Sequence, residues 1–596
     1  MNSSWSSFRN LSILAPFLLL VGQGCGSTSP GAADAAVTDI AQSDAAAQDD
    51  VQAPKDGGAQ PDAGGEMDAG GEMDAGGEAD AGGGADAGAM NADWGFRPMP
   101  NGFAFENYGN SITADMMMTT AMNLSPVEMR RIFGPQVCEG ANATGDCVLV
   151  PQAQQWMERE NAGMNGGHCE GMALVASHFY TGLLSPMNFG APSTFGLPLT
   201  NNAALQREVA LWFVSQSTIP NLERADLTPR QVVSELAREL ARGTAYRGTI
   251  LGLYTSPGRG NGHAVSPYAV RYTSPTTAEI SVYDNNYPNE ERAVSVDLAA
   301  NTFRYVTSTN PMEMPLTYAG DATTFTLTLN DIEPRLTFPH MCTFCGDAQM
   351  MTGGGNRGSV RVALSGEGDL AIADSMGRVT GTSATGAMMN GIPGASVTNV
   401  RSNFRDNPEP IYTVPREGTL TITLDGSRIS TATDSELLIT GQGFSLGVED
   451  LSLDPMQRDT ITFRSDAPDI TYRASGAETP TLVLAFQTAG ADYLIELRSG
   501  AFTDGQNVRL AVDLNTQRVR VSFEGSTSAP SFEFYMERVT ETGAVSFNHA
   551  GVSSSAASVL QFSYADWTGN GSTLRMEVDA DGNGSVDRME DLADEN

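Results

Sequence analysis

The sequence predicts an α+β domain followed by all-β sandwich-type modules, behind an N-terminal linker that stays disordered. Three observations carry this. Residues 26–95 are rich in Ala, Gly, Asp and Glu, with too little large apolar side chain to offset chain entropy. The next stretch has apolar residues at helical spacing and then turns to strand-like alternation. From about Arg357 the pattern is short strands separated by polar turns.

At 596 residues the chain is long enough for several folded units. Its 34 basic residues face 71 acidic ones, a net charge of -37, which argues against a nucleic-acid partner. Lys55 is the single lysine, so a P-loop and any lysine-based chemistry in the folded part are excluded. Five histidines argue against a multi-histidine metal centre, and no motif points to an organic cofactor.

Residues 1–25 read as an export signal. Arg9 supplies the charged start, and Leu11 to Val21 form an apolar run too short to span a bilayer. Gly22-Gln23-Gly24-Cys25 follows and resembles the bacterial lipoprotein cleavage box, which implies a lipid on Cys25 and a membrane anchor. The expected location is the bacterial cell envelope, as an outer-membrane lipoprotein or a secreted protein. Residues 26–95 then form the linker, with a six-residue repeat starting at Asp62, Asp68 and Asp74. Fifteen acidic residues and one Lys between 26 and 93 make it a self-repelling tether.

An exported chain meets oxidising conditions, which frames the remaining cysteines. Cys138 and Cys147 flank a polar loop that a disulfide could close. Cys342 and Cys345 form C-x-x-C; no second such pair exists to complete a zinc site, so a local disulfide is expected. Cys169 is then left outside any disulfide.

Cys169 sits in Asn165-Gly-Gly-His-Cys-Glu-Gly-Met172, before an apolar run of helical character. That places it at a helix N-terminus, where the dipole favours a thiolate and backbone N–H groups can hold an oxyanion. A thiol nucleophile needs a base. His178 lies on the opposite face of the same helix, and His168 is a sequence neighbour that points away. His263 opens an alternating stretch to Tyr272, a polar turn follows, and a second strand ends at Asp284. If the two strands pair as a hairpin, Asp284 to Asn286 return beside His263.

The order of a Cys, a His opening a strand and an acid ending the next strand resembles the papain-like cysteine peptidase superfamily. The spacing is closest to its compact bacterial branches, such as the double-glycine peptidases, and the likeness spans residues 96–318. The resemblance implies a papain-like domain in which Cys169 is the nucleophile, His263 the base and Asp284 the orienting acid. The family's oxyanion glutamine has no direct counterpart; Asn165 is the leading candidate, with Asn161, Gln152, Gln154 and Gln155 as alternatives. Its C-G-S-C-W type signature is also absent.

Between the motifs, Ala204–Ser215 has helical spacing, and Thr228 with Pro229 starts a helix that runs to about Arg242. Residues 319–356 are expected to connect the domain to the β-modules. Strands such as Gly358–Leu364, Gly418–Leu424 and Val508–Asp513 suggest one or two antiparallel sandwiches, divided into 357–480 and 481–596 if two. Residues 579–590 fit the EF-hand calcium loop: side-chain oxygens from Asp579, Asp581 and Asn583, the Ser585 carbonyl, Asp587 through water and Glu590 with two oxygens. A strand-like lead-in marks this as a structural calcium site.

The expectation is therefore an exported, membrane-anchored cysteine hydrolase, a peptidase acting on a peptide or protein. The alternatives are an acyl-transferase or amidase on the same fold, and an inactive surface adhesion or scaffold protein.

Overall fold

The computed structural model describes residues 90–596, apart from 115–116, 140–146, 220–222, 225, 257–259, 310, 347–357, 402–408, 524–530 and 554. The export signal, Cys25 and the linker as far as residue 89 lie outside the described residues.

The longer helices come early: Pro126–Phe133, Pro151–Gly163, Cys169–Thr181, Ala203–Thr218 and Pro229–Leu240. Three of them begin with Pro, whose fixed φ and missing N–H suit the first helical position. Thr228 caps the last one with a capping box to Gln231. From Cys169 to Phe179 every residue of the third helix is buried, as expected of a helix apolar all round. It lies between the Ala203–Thr218 helix and the strand His263–Ser274. Contact with the first of these is close enough to demand Gly171: an added Cβ would sit 2.1 Å from the Val209 carbonyl oxygen.

Strands from this part form one antiparallel sheet. In spatial order it runs Leu316–Gly320, Thr302–Thr307, Arg292–Asp297, Thr277–Tyr283, His263–Ser274, Thr249–Leu253, Leu327–Asp331 and Glu223–Arg224. Ala92–Asp93 adds on against Val270 and Ala269. Two expected boundaries therefore move. The folded part begins before residue 96, because Ala92–Asp93 is a strand. The first domain does not end at 318, because Leu327–Asp331 returns to pair with Thr249–Leu253 and Phe344 packs on Phe133 and Trp156. The segment expected to connect thus contributes a strand and several buried residues to the first domain.

Beyond residue 357 the chain builds one sandwich, a nine-stranded sheet facing an eleven-stranded one. The expected division at 480/481 falls inside it. Thr481–Gln487 pairs with Phe444–Leu453, and Asn507–Asp513 pairs with Asp469–Arg473. A single apolar core runs from Val360 to Leu592. No helix among the described residues is long and apolar enough to cross a membrane.

Replacing Gly171 by Ala should destabilise the fold by about 1–3 kcal/mol, since the atom it meets is backbone and cannot swing aside. Urea unfolding of the variant against wild type checks this.

Candidate functional site

Gly167, at φ 126°, turns the chain into the Cys169 helix. His168 takes the N-cap position and Cys169 is the first helical residue. Cys169 belongs to neither disulfide; these join Cys138 to Cys147 and Cys342 to Cys345.

His263 is the first residue of its strand and Asp284 follows the next one directly. The strands pair with Ser266 opposite Tyr283 and a bulge after Pro267. This register brings His263 Nε2 to 2.9 Å from Asp284 Oδ1. An ionised carboxylate only accepts, so Nε2 carries the proton of this bond. Cys169 lies close enough to the ring to act on the imidazole electrostatically.

Cys169, His263 and Asp284 are each 0% exposed. Burial alone would pull His263 down, but the Asp284 charge and hydrogen bond outweigh it and push the ring up to about 10, with Cys169 adding to the rise. Asp284 moves the opposite way: burial raises it, and His263 with further hydrogen bonds brings it below its ordinary value. Its Oδ2 accepts from Tyr305 Oη at 2.8 Å and Thr307 Oγ1 at 2.7 Å, and its Oδ1 from the Asn286 N–H at 3.0 Å.

Three buried asparagines frame the trio. Asn285 donates from Nδ2 to the Cys169 carbonyl at 2.8 Å. Asn286 donates to the Ser308 carbonyl at 2.7 Å. The Asn107 N–H donates to the Asn285 carbonyl at 2.9 Å, and its Oδ1 accepts from the His168 N–H at 2.7 Å. Thiol, imidazole and carboxylate so arranged can make a nucleophile and recycle its proton.

Other expected residues lie elsewhere. Asn165 is exposed and lines a cavity of about 260 Å³ beside the sandwich, so the oxyanion role expected of it gains no geometric support. Asn161 is bound to both backbone groups of Leu124. Gln152 donates to Gly443 and Gln155 accepts from Ser445, both across the sandwich interface, while Gln154 pairs with Glu158. Of the remaining histidines, His168 bonds Tyr108 and Asn123. His178 packs against Trp212; burial, and then Arg335 and Arg131, takes its ring down to about 3.

Sequence reasoning missed Tyr305 and Thr307, although their i, i+2 spacing put both on one sheet face. It also missed Asn107, for which no local motif exists.

In the tail, the structure gathers three of the six expected metal ligands. Asp579, Asp581 and Asp587 each offer an oxygen within 4.8 Å of the others. Glu590 instead lies on the strand Arg588–Leu592, opposite Met576 and paired to Arg588. The Asn583 side chain accepts from the Ser585 N–H, and the exposed Ser585 completes the loop. Carboxylate oxygens are hard-cation ligands, so the three aspartates could hold a metal ion, whereas Glu590 is set apart by its strand pairing.

No protein-family model, no curated protein and no solved structure matches this chain.

The pH dependence of stability should follow from the buried pair. A raised His263 contributes fully below its ordinary 6.5 and loses its contribution as pH climbs through about 10. A depressed Asp284 contributes above its ordinary 3.8 and loses its contribution in acid. The stability gap between wild type and Asp284→Asn should therefore be widest between pH 3.8 and 6.5 and shrink towards pH 10. Denaturant midpoints at three pH values read it directly; a gap that grows in alkali would contradict the pairing.

Proposed function

We propose that this chain is an exported, membrane-anchored cysteine hydrolase with a papain-like domain, a peptidase acting on amide bonds. The observation that supports it above all is the convergence of Cys169, His263 and Asp284 from separate elements, with His263 between acid and thiol. The two disulfides agree with an oxidising compartment, and the lipoprotein-like Cys25 supports the anchor.

In this reading His263 takes the proton of the Cys169 thiol, the sulfur attacks the carbonyl carbon of a peptide, and the π electrons move to oxygen. The first N–H groups of the Cys169 helix have no helical acceptor and stabilise that oxyanion. His263 delivers its proton to the leaving nitrogen as the C–N bond breaks, leaving a thioester. Water then adds, giving a proton to His263, and cleavage of the C–S bond releases the acid and restores the sulfur. Asp284 stays ionised and orients the imidazole throughout.

One observation favours a second reading, an inactive surface scaffold. All three side chains are fully buried, so a substrate reaches the sulfur only after neighbouring segments part. Iodoacetamide separates the two. A hydrolase should be alkylated at Cys169, and His263→Ala should slow this about a hundredfold. Equal labelling of both proteins would sink the triad.

The tail loop is proposed as a structural calcium site built on Asp579, Asp581 and Asp587. Calcium at about 1 mM should raise the melting temperature, EDTA should reverse the rise, and Asp581→Ala should abolish it. An unchanged melting curve removes the calcium assignment.

A further inference from the structure

Glu170, the residue after Cys169, is a carboxylate with no solvent exposure. Two buried guanidiniums hold it. Arg335 Nη1 donates to its Oε1 at 2.6 Å, from the turn that follows the last strand of the first domain. Arg401 comes from the sandwich, in the connection between Ser396–Thr398 and Ile411–Pro415. Its Nη2 donates to Glu170 Oε1 at 2.9 Å and its Nε to Oε2, a two-pronged contact. Burial pushes the Glu170 carboxyl up, but Arg401 and then Arg335 prevail and hold it at about 2.

Arg401 also reaches the other side of the site. An added Cβ on Gly262, the residue before His263, would lie 3.3 Å from the Arg401 Cα. One on Gly252 would lie 3.3 Å from its Cδ. The guanidinium donates further to Tyr254 Oη at 3.3 Å, and the Arg401 N–H donates to Gln216 Oε1 at 2.8 Å. One sandwich residue thus binds the chain neighbour of the thiol and leaves little room beside the chain neighbour of the imidazole.

We propose that Arg401 is a positioning residue that sets the Cys169–His263 geometry from the C-terminal sandwich, so that the two folded parts form one working site. This rests on the hydrolase reading above. Arg401 acts through Glu170 and Gly262 and touches no reacting atom. The bidentate fork fixes the first turn of the Cys169 helix, and the backbone at Arg401 packs against the start of the His263 strand. Lysine could keep one contact to Glu170 and would lose the fork.

The test uses the full chain and iodoacetamide as the probe of Cys169. Arg401→Gln should slow alkylation by about tenfold to a hundredfold, while far-UV circular dichroism stays native. Arg401→Lys should fall between Arg401→Gln and wild type. The double variant Arg401→Gln/His263→Ala should label no more slowly than His263→Ala alone, because both changes act on the same imidazole. A natively folded Arg401→Gln that labels within about twofold of wild type overturns the proposal. So do losses that multiply fully in the double variant, because these report access or stability and not the geometry of the pair. Should Arg401→Gln not fold, the same comparisons on Arg401→Lys decide. If His263→Ala itself labels like wild type, the hydrolase reading fails; if His263→Ala is slow and Arg401→Gln is not, only the role of Arg401 fails.

Discussion

A carboxylate shut away from water persists as a charge only where its oxygens are matched by donors. Asp284 is in that position, and four donors converge on it: the His263 ring, the Tyr305 and Thr307 hydroxyls and the Asn286 amide. Each donor places a demand on the fold. His263 can reach Asp284 only if Ser266 stands opposite Tyr283, since a slip by one residue would turn every side chain of the strand over. Tyr305 and Thr307 come from two strands further across the sheet, which must twist back over the end of the hairpin. Asn285, carried along beside the acid, then holds the Cys169 carbonyl and receives the Asn107 N–H. Satisfying one buried charge thereby fixes where the helix carrying the thiol begins.

What sequence could reveal of this follows from the range of each interaction. His263 and Asp284 are joined by a hairpin, so a turn signal and a count along two strands were enough to bring them together. Cys169 stood out because Cys25 fell in the lipoprotein-like box and the other four cysteines fell into short-range pairs, which leave a recognisable spacing. Asn107 and Arg401 act over hundreds of positions along the chain, and a residue's type carries no record of such a partner. Gln152 and Gln155 misled for the same reason: their sequence position near the thiol hides that both side chains turn to the sandwich. The sandwich itself shows strands clearly, yet alternation tells which face is buried and not which sheet a strand joins. Two modules and one continuous pair of sheets therefore look alike in sequence.

The near-absence of lysine also acquires a structural meaning. Arg335 and Arg401 lie in the interior, and Arg361 crosses the interface between the two folded parts to donate to the Ser217 carbonyl. Burial takes Arg361 down to about 10, still charged at neutral pH. Lysine starts from a lower ordinary value of about 10.4, so the same burial would bring its charge closer to being lost at neutral pH. Guanidinium also matches a carboxylate with two parallel donors, as at Glu170. Charges that tie the two parts together are thus of the kind that survives without water.

The two-residue strand Ala92–Asp93 has a mechanical side. It is where the described chain first joins the sheet, and its partners are Val270 and Ala269, on the strand that His263 opens. Trp94 reinforces the join through its N–H to the Tyr268 carbonyl and its ring against Tyr180 and Tyr246. Tension drawn through the N-terminal end of the chain therefore loads this short ribbon before anything else.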